Sequence, residues 1–139
     1  MLNSADDIRA RVNYVDSEIL NSQIDPHIKS ASRRIIRWVG ADAYADAGIG
    51  SPVNADRADD LTNAEAALTL YFLLKWLQTN VTNRGMVKQA KEDGNTVNQF
   101  YSPKEVADFM QLYWDEAEQL CKPWQLTDDA ISSVQLTNL

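Results

Sequence analysis

Leu61-Thr62-Asn63-Ala64-Glu65-Ala66-Ala67-Leu68-Thr69-Leu70-Tyr71-Phe72-Leu73-Leu74-Lys75-Trp76-Leu77 decides the fold. From Ala66 onward only Thr69 and Lys75 interrupt its apolar residues. At about 100° per residue, Leu61, Ala64, Leu68, Tyr71 and Phe72 share one side of a helix, and Leu70, Leu73, Leu74 and Leu77 the other. Thr62, Glu65, Thr69 and Asn80 form the thin polar strip that remains. A helix apolar nearly all round needs cover all round. The run falls short of the roughly 20 apolar residues of a membrane span. The expectation is therefore a central helix wrapped by other helices: an all-α protein, a small helical bundle.

The flanking sequence supplies the wrapping helices. Ser4 precedes Ala5-Asp6-Asp7-Ile8, a cap followed by acids in the first turn, and Ile8, Val12 and Val15 mark the apolar face of a short helix. Asp16 or Ser17 can cap a further turn through Ile19 and Leu20. Asp25-Pro26 reads as the next start, a capping carboxylate with Pro at the first helical position, and Gly40 as the stop. Ile28, Ala31, Ile35, Trp38 and Val39 cluster on one face of that helix; Lys29, Arg33 and Arg37 line the opposite one, with Arg34 beside them. Ala41 to Ala47 forms two turns ending at Gly48, and Gly48-Ile49-Gly50-Ser51-Pro52 is a loop. The central helix begins between Asp56 and Thr62 and ends between Thr79 and Arg84.

Residues 86–101 fit a hairpin or an extended loop, with a turn signal at Asp93-Gly94-Asn95. Ser102-Pro103-Lys104-Glu105 combines a cap, a first-position Pro and a capping-box Glu. Val106, Phe109, Met110, Tyr113, Ala117 and Leu120 form the buried face of the helix that follows, and Pro123 ends it. Asp108, Asp115 and Glu118 lie on its outer face. Residues 1–124 form a helical core domain on this reading. Residues 125–139 form a C-terminal docking tail, with Ile131, Val134, Leu136 and Leu139 as its apolar contacts.

The 139 residues carry a net charge of −7, which opposes a nucleic-acid grip built on clustered Lys and Arg. Cys121 is the single cysteine and His27 the single histidine. A lone Cys permits no intrachain disulfide, and the first ten residues lack the basic-then-apolar pattern of a secretory leader, so a reducing compartment is expected. Cys121 reads as a small core residue and His27 as solvent-facing. Asp25 and His27 lack further ligands at metal spacing, and the Asp56/Asp59/Asp60 and Asp128/Asp129 clusters read as acid-rich helix starts, not calcium loops. No nucleophile–base set and no phosphate loop can be assembled. The expectation is a non-enzyme without metal or cofactor. Trp38, Trp76, Trp114 and Trp124 read as core and interface mass, since Trp76 and Trp114 lack the basic neighbours of a base-stacking platform.

The stripe of Lys29, Arg33 and Arg37 reads as a solvated face, a subunit contact or, against the global charge, a DNA contact. Paired with Asp108, Asp115 and Glu118 of a second copy it forms a contact between two different patches, the type that closes into rings.

Three segments carry a resemblance to a known family: Ile24-Asp25-x-x-Ile28-x-x-Ala31-x-x-x-Ile35-x-x-Trp38-x-Gly40 after a short N-terminal helix, the apolar Ala66–Leu77, and Tyr101-Ser102 before a final amphipathic helix. In this order the chain resembles the small helical head–tail connector (adaptor, or head-completion) proteins of tailed phages. The resemblance implies an all-helical protomer in a homo-oligomeric ring, typically a dodecamer, beneath the portal protein. The ring extends the channel through which genomic DNA passes without sequence-specific binding, and presents a surface to a stopper or tail completion protein. It implies a virion protein at the head–tail interface, made in the host cytoplasm, with no membrane partner. The tail then docks on the portal. The competing reading is an intracellular helical regulator binding one protein partner.

Overall fold

In the computed structural model, which describes residues 1–12, 19–80, 87–92, 95–100 and 102–126, the element order is α1 (Ala5–Arg11), α2 (Asn21–Val39), α3 (Ala41–Ala47), α4 (Ala55–Asn80), β1 (Val87–Glu92), β2 (Asn95–Phe100) and α5 (Pro103–Cys121), closed by a 3-10 turn over Lys122–Trp124. The core is an all-α bundle, and the stretch before α5 is a hairpin rather than an extended loop. Val87 pairs with Phe100 and Glu92 with Asn95 in an antiparallel register.

Local chemistry sets the helix ends. Ser4 Oγ accepts from the Asp7 amide at 3.2 Å while the Asp7 carboxylate accepts from the Ser4 amide at 2.8 Å. Ser102 and Glu105 make the same reciprocal pair at 3.1 and 3.3 Å. The α2 start differs from the sequence expectation: it lies at Asn21, and Pro26 sits inside the helix. Leu20 has no acceptor side chain, so Gln23 reaches back instead, its Oε1 accepting from the Leu20 amide at 2.8 Å. Pro26 falls in the second turn of α2, where it lacks the amide that would donate to the Ser22 carbonyl, so one bond of the helix is forgone there. Ile19 and Leu20 lie outside any helix; Val15, Asp16 and Ser17 fall outside the described residues.

Gly40 separates α2 from α3 at φ 92° and ψ 158°, a region that only glycine occupies without strain. Leu126 packs over this glycine, its side-chain carbons about 3.5 Å from where a Cβ would stand, and its amide donates to the Trp38 carbonyl at 2.9 Å. Before α4, Asp46 organises the connecting loop by accepting from the Val53 and Asn54 amides at 2.8 and 3.3 Å and from Arg57 at 3.2 Å. Asn54 then caps α4, its Oδ1 accepting from the Arg57 amide at 3.0 Å.

α4 contributes to every apolar cluster. Leu61, Ala64, Ala67 and Leu68 meet Ala31, Ile35 and Val39 of α2, Ala43 of α3, and Ala117 and Cys121 of α5. Ala66, Leu70 and Leu73 meet Ala5 and Ile8 of α1 and Ile24 and Ile28 of α2, and Leu74 meets Val106. The alanines let neighbouring helices approach while the leucines supply the burial, about 1.5–3 kcal/mol for each fully covered side chain. Two residues of the polar strip of α4, Glu65 and Thr69, are wholly buried: the amides of Leu2 and Asn3 lie against Glu65, and the Thr69 hydroxyl donates to the Glu65 carbonyl at 2.7 Å. The side chain of Asn80 is outside the described residues. No described helix is long and apolar enough to cross a membrane.

Candidate protein-docking surfaces

Lys29, Arg33 and Arg37 all point to solvent from α2, opposite its buried line of Ile24, Ile28, Ala31 and Ile35. Asp108, Asp115 and Glu118 are likewise exposed on α5, away from Val106 and Ala117. The two ion pairs between described residues are Arg9–Asp6 and Arg57–Asp46, so neither set of charges is neutralised by the other within the protomer. Asp115 accepts from Gln111 at 2.8 Å and Glu118 from the Trp114 indole at 2.8 Å, each from one turn earlier in α5. Leu112, 63% exposed, sits between Asp108 and Asp115 in sequence. The helical wheel places it on the acidic side, a position that a reading centred on charge passed over.

The seam between α2 and α5 is aromatic. Trp38 meets Trp114 edge-on with ring centres 5.7 Å apart, and Tyr71 of α4 lies 5.1 Å from Trp114. Arg34 places its guanidinium 5.3 Å from the centre of the Trp114 ring. Trp114 thus has the basic neighbour that its own helix lacks, a cation–π contact contributed by a different element and invisible along the chain. Both rings are half-buried, which fits interface mass rather than an open stacking platform.

The principal polar centre is one the sequence reading missed. The Glu65 carboxylate, with no measurable exposure, accepts from the Leu2 amide at 3.0 Å, from the Asn3 amide at 3.3 Å and from the Tyr44 hydroxyl at 2.7 Å. Asn3 adds a bond from its side-chain amide to the Thr62 carbonyl at 2.9 Å. Burial, and then the neighbouring carboxylate, raise the Tyr44 phenol above its ordinary value, so it stays a donor. The group clamps the start of the chain across α3 and α4. Its signal in the sequence was a single acid inside an apolar helix, which folds only if donors meet it.

At the other end, the Trp124 indole donates to Asp60 at 3.0 Å. One acid of the Asp56/Asp59/Asp60 cluster is therefore a structural acceptor. Among the described residues no group of three or more potential metal ligands gathers.

His27 corrects its expectation of solvent exposure: the ring is half-buried and tilted against Trp76 at 5.8 Å. Burial lowers its pKa from the ordinary 6.5. The unfolded chain then binds the proton more readily, so the His27 contribution is complete above about pH 6.5 and declines as pH falls through the folded-state value. Urea unfolding at pH 7.5 and 5.5 is expected to show a smaller acid loss for His27→Gln than for the parent. Equal losses would exclude His27 as a contributor.

Cys121 is fully buried. Burial, with the Asp60 charge second, pushes its thiol up to about 12, so the reactive thiolate is scarce at neutral pH. Labelling by an aromatic disulfide reagent is expected to be blocked in the native protein and fast in denaturant. Fast native labelling would contradict this packing.

Ile131, Val134, Leu136 and Leu139, the expected docking contacts, lie outside the described residues, as do Asp128 and Asp129. No family model matches the sequence, and neither curated proteins nor solved structures give a match.

Proposed function

We propose that the chain is a virion structural protein of a tailed phage, a head–tail adaptor whose copies form a ring beneath the portal protein. The observation that carries this reading is the pair of exposed, oppositely charged helix faces on α2 and α5, neither neutralised by the other among the described residues. Such faces suit a heterologous contact, in which the basic face of one copy meets the acidic face of the next and rotation closes the ring. The rigid bundle keeps the two faces at a fixed angle, which ring closure requires.

Three further features support the reading. The order of helices resembles the connector proteins. The net charge of −7 suits a channel through which genomic DNA slides without being held. The aromatic seam holds α2 against α5, so the two faces are oriented together. The portal lies on one side of the ring in this reading, a stopper or tail completion protein on the other, and the docking tail meets the portal through residues 127–139, since Leu126 is held on the bundle by Gly40 and Trp38.

The test is the copy number of this protein relative to portal protein in purified particles, by quantitative mass spectrometry. A ratio near one is expected. A large excess would place the protein in the shell or tail tube, and absence from particles would leave the intracellular regulator as the better reading.

A further inference from the structure

The hairpin of β1 and β2 is a sheet of its own: among the described residues it has two strands and no third. An isolated two-stranded hairpin is marginal in water and gains independent stability from further strands or a covering helix. The sequence supplies little apolar surface to compensate: the register sets Val87 beside Phe100 and Ala90 beside Val97, and the remaining pairs are polar.

The two edges differ. β1 carries Lys88, Lys91 and Glu92, whereas β2, Asn95-Thr96-Val97-Asn98-Gln99-Phe100, carries no charge and no proline. Edge strands that must stay single are blunted by lysine, proline or bulges, and β2 has none of these devices. Two copies of one strand paired antiparallel set a residue opposite itself, so a six-residue strand cannot pair with its own copy over its full length. Pairing β2 with β1 of another copy has no such limit and repeats the register of the hairpin itself. The strands are also equal in length, with all six residues in register, so successive hairpins can tile without overhang.

We infer that the hairpin is a second subunit contact, in which the β2 edge of one copy adds to the β1 edge of the next. The inference rests on the ring reading, because a cyclic arrangement requires two different edges to meet. With every copy oriented alike, the order β1-β2-β1-β2 runs antiparallel throughout, and closure removes every free edge, as in a barrel.

Backbone geometry supplies the test. A two-residue connection closes an antiparallel pair on residues that exchange both hydrogen bonds. That assigns the amides of Glu92, Ala90 and Lys88, with Asn95, Val97 and Gln99, to the hairpin itself. The amides of Gln89, Lys91, Thr96 and Asn98 then face outward. Proline removes a donor but is tolerated on a free edge. Gln89→Pro therefore blocks the β1 edge and Asn98→Pro the β2 edge.

Native mass spectrometry of the full chain is expected to show the parent as rings and each variant without rings. An equimolar mixture is expected to stop at a one-to-one heterodimer, since one intact β2 edge and one intact β1 edge remain. Hydrogen exchange on the parent gives a readout independent of any substitution: the outward amides gain protection on assembly, and the inward ones are protected already. Rings formed equally by both variants, with outward amides exchanging freely, would overturn the hairpin contact and leave the adaptor reading standing. Homodimers of Gln89→Pro, with none of Asn98→Pro, would reassign the contact to two β2 edges and overturn the inference. A parent that stays monomeric at every concentration would overturn both it and the ring.

Discussion

Replacing Glu65 by Ala is expected to destabilise the protein by about 3 kcal/mol. Hydrogen bonds to a charged group contribute about 1.5–3 kcal/mol each, and an orphaned buried donor carries its full desolvation cost. Three donors converge on this carboxylate, from Leu2, Asn3 and Tyr44. The simple sum overstates the loss, because the first residues can lift away and rehydrate, recovering part of the cost. Glu65→Gln retains one acceptor oxygen but turns an amide donor toward other donors, so an intermediate loss is expected. Urea unfolding measures both. Hydrogen exchange adds a local signature, since the Leu2 and Asn3 amides should lose protection in Glu65→Ala while the centre of α5 keeps its own. A loss below about 1 kcal/mol, with those amides still protected, would show that Glu65 is not the clamp.

The second large effect is on assembly. Arg33→Glu combined with Arg37→Glu is expected to abolish ring formation and leave the monomer folded. Both side chains are exposed, and surface substitutions away from special features usually change stability by within about 0.5 kcal/mol. Across an interface, the same reversal replaces attraction by like-charge opposition, which costs several kcal/mol and is amplified by every repeat of the contact. Asp108→Lys with Asp115→Lys should give the same loss. A chain carrying all four reversals restores complementarity and is expected to assemble again. Rising salt should weaken parent and restored protein alike, since exposed charges are screened beyond about 10 Å at 0.1 M. Unimpaired assembly of the Arg33/Arg37 reversal would remove this contact from the proposed ring.

The fold was legible wherever one residue's chemistry acts on its near neighbours. Ser4 with Asp7, Ser102 with Pro103 and Glu105, and Gly40 each mark a boundary by local hydrogen bonding or backbone freedom, and each boundary lies where the sequence puts it. The central position of α4 followed from the lack of a wide polar face. Two things were not legible. The α2 start moved from Asp25 to Asn21 because Gln23 substitutes for a capping side chain, a weaker pattern than an Asp-Pro pair. Glu65 was read only as part of a thin polar strip, because two of its partners are backbone amides some sixty positions away, which every residue carries, and the third, Tyr44, is 21 positions away. The candidate docking charges were legible as stripes, since exposure follows from helical phase. Arg34 over Trp114 was not, because it depends on how two helices cross.

The Leu2 contact to Glu65 spans 63 positions and the Trp124 contact to Asp60 spans 64. The chain is therefore drawn into a figure of eight, with two lobes of nearly equal length knotted by hydrogen bonds at sites about 7.5 Å apart along one helix. Each knot closes only after a long lobe has been brought to order, and the entropy of closure rises with the logarithm of lobe length. The helical hairpins between them involve shorter separations and form at lower entropic cost. Folding is then expected to run from the middle outward, with the Leu2 and Trp124 contacts the last to close. Hydrogen exchange on the native protein is then expected to show the Leu2 and Trp124 contacts opening before the waist of the figure, in the first half of α4.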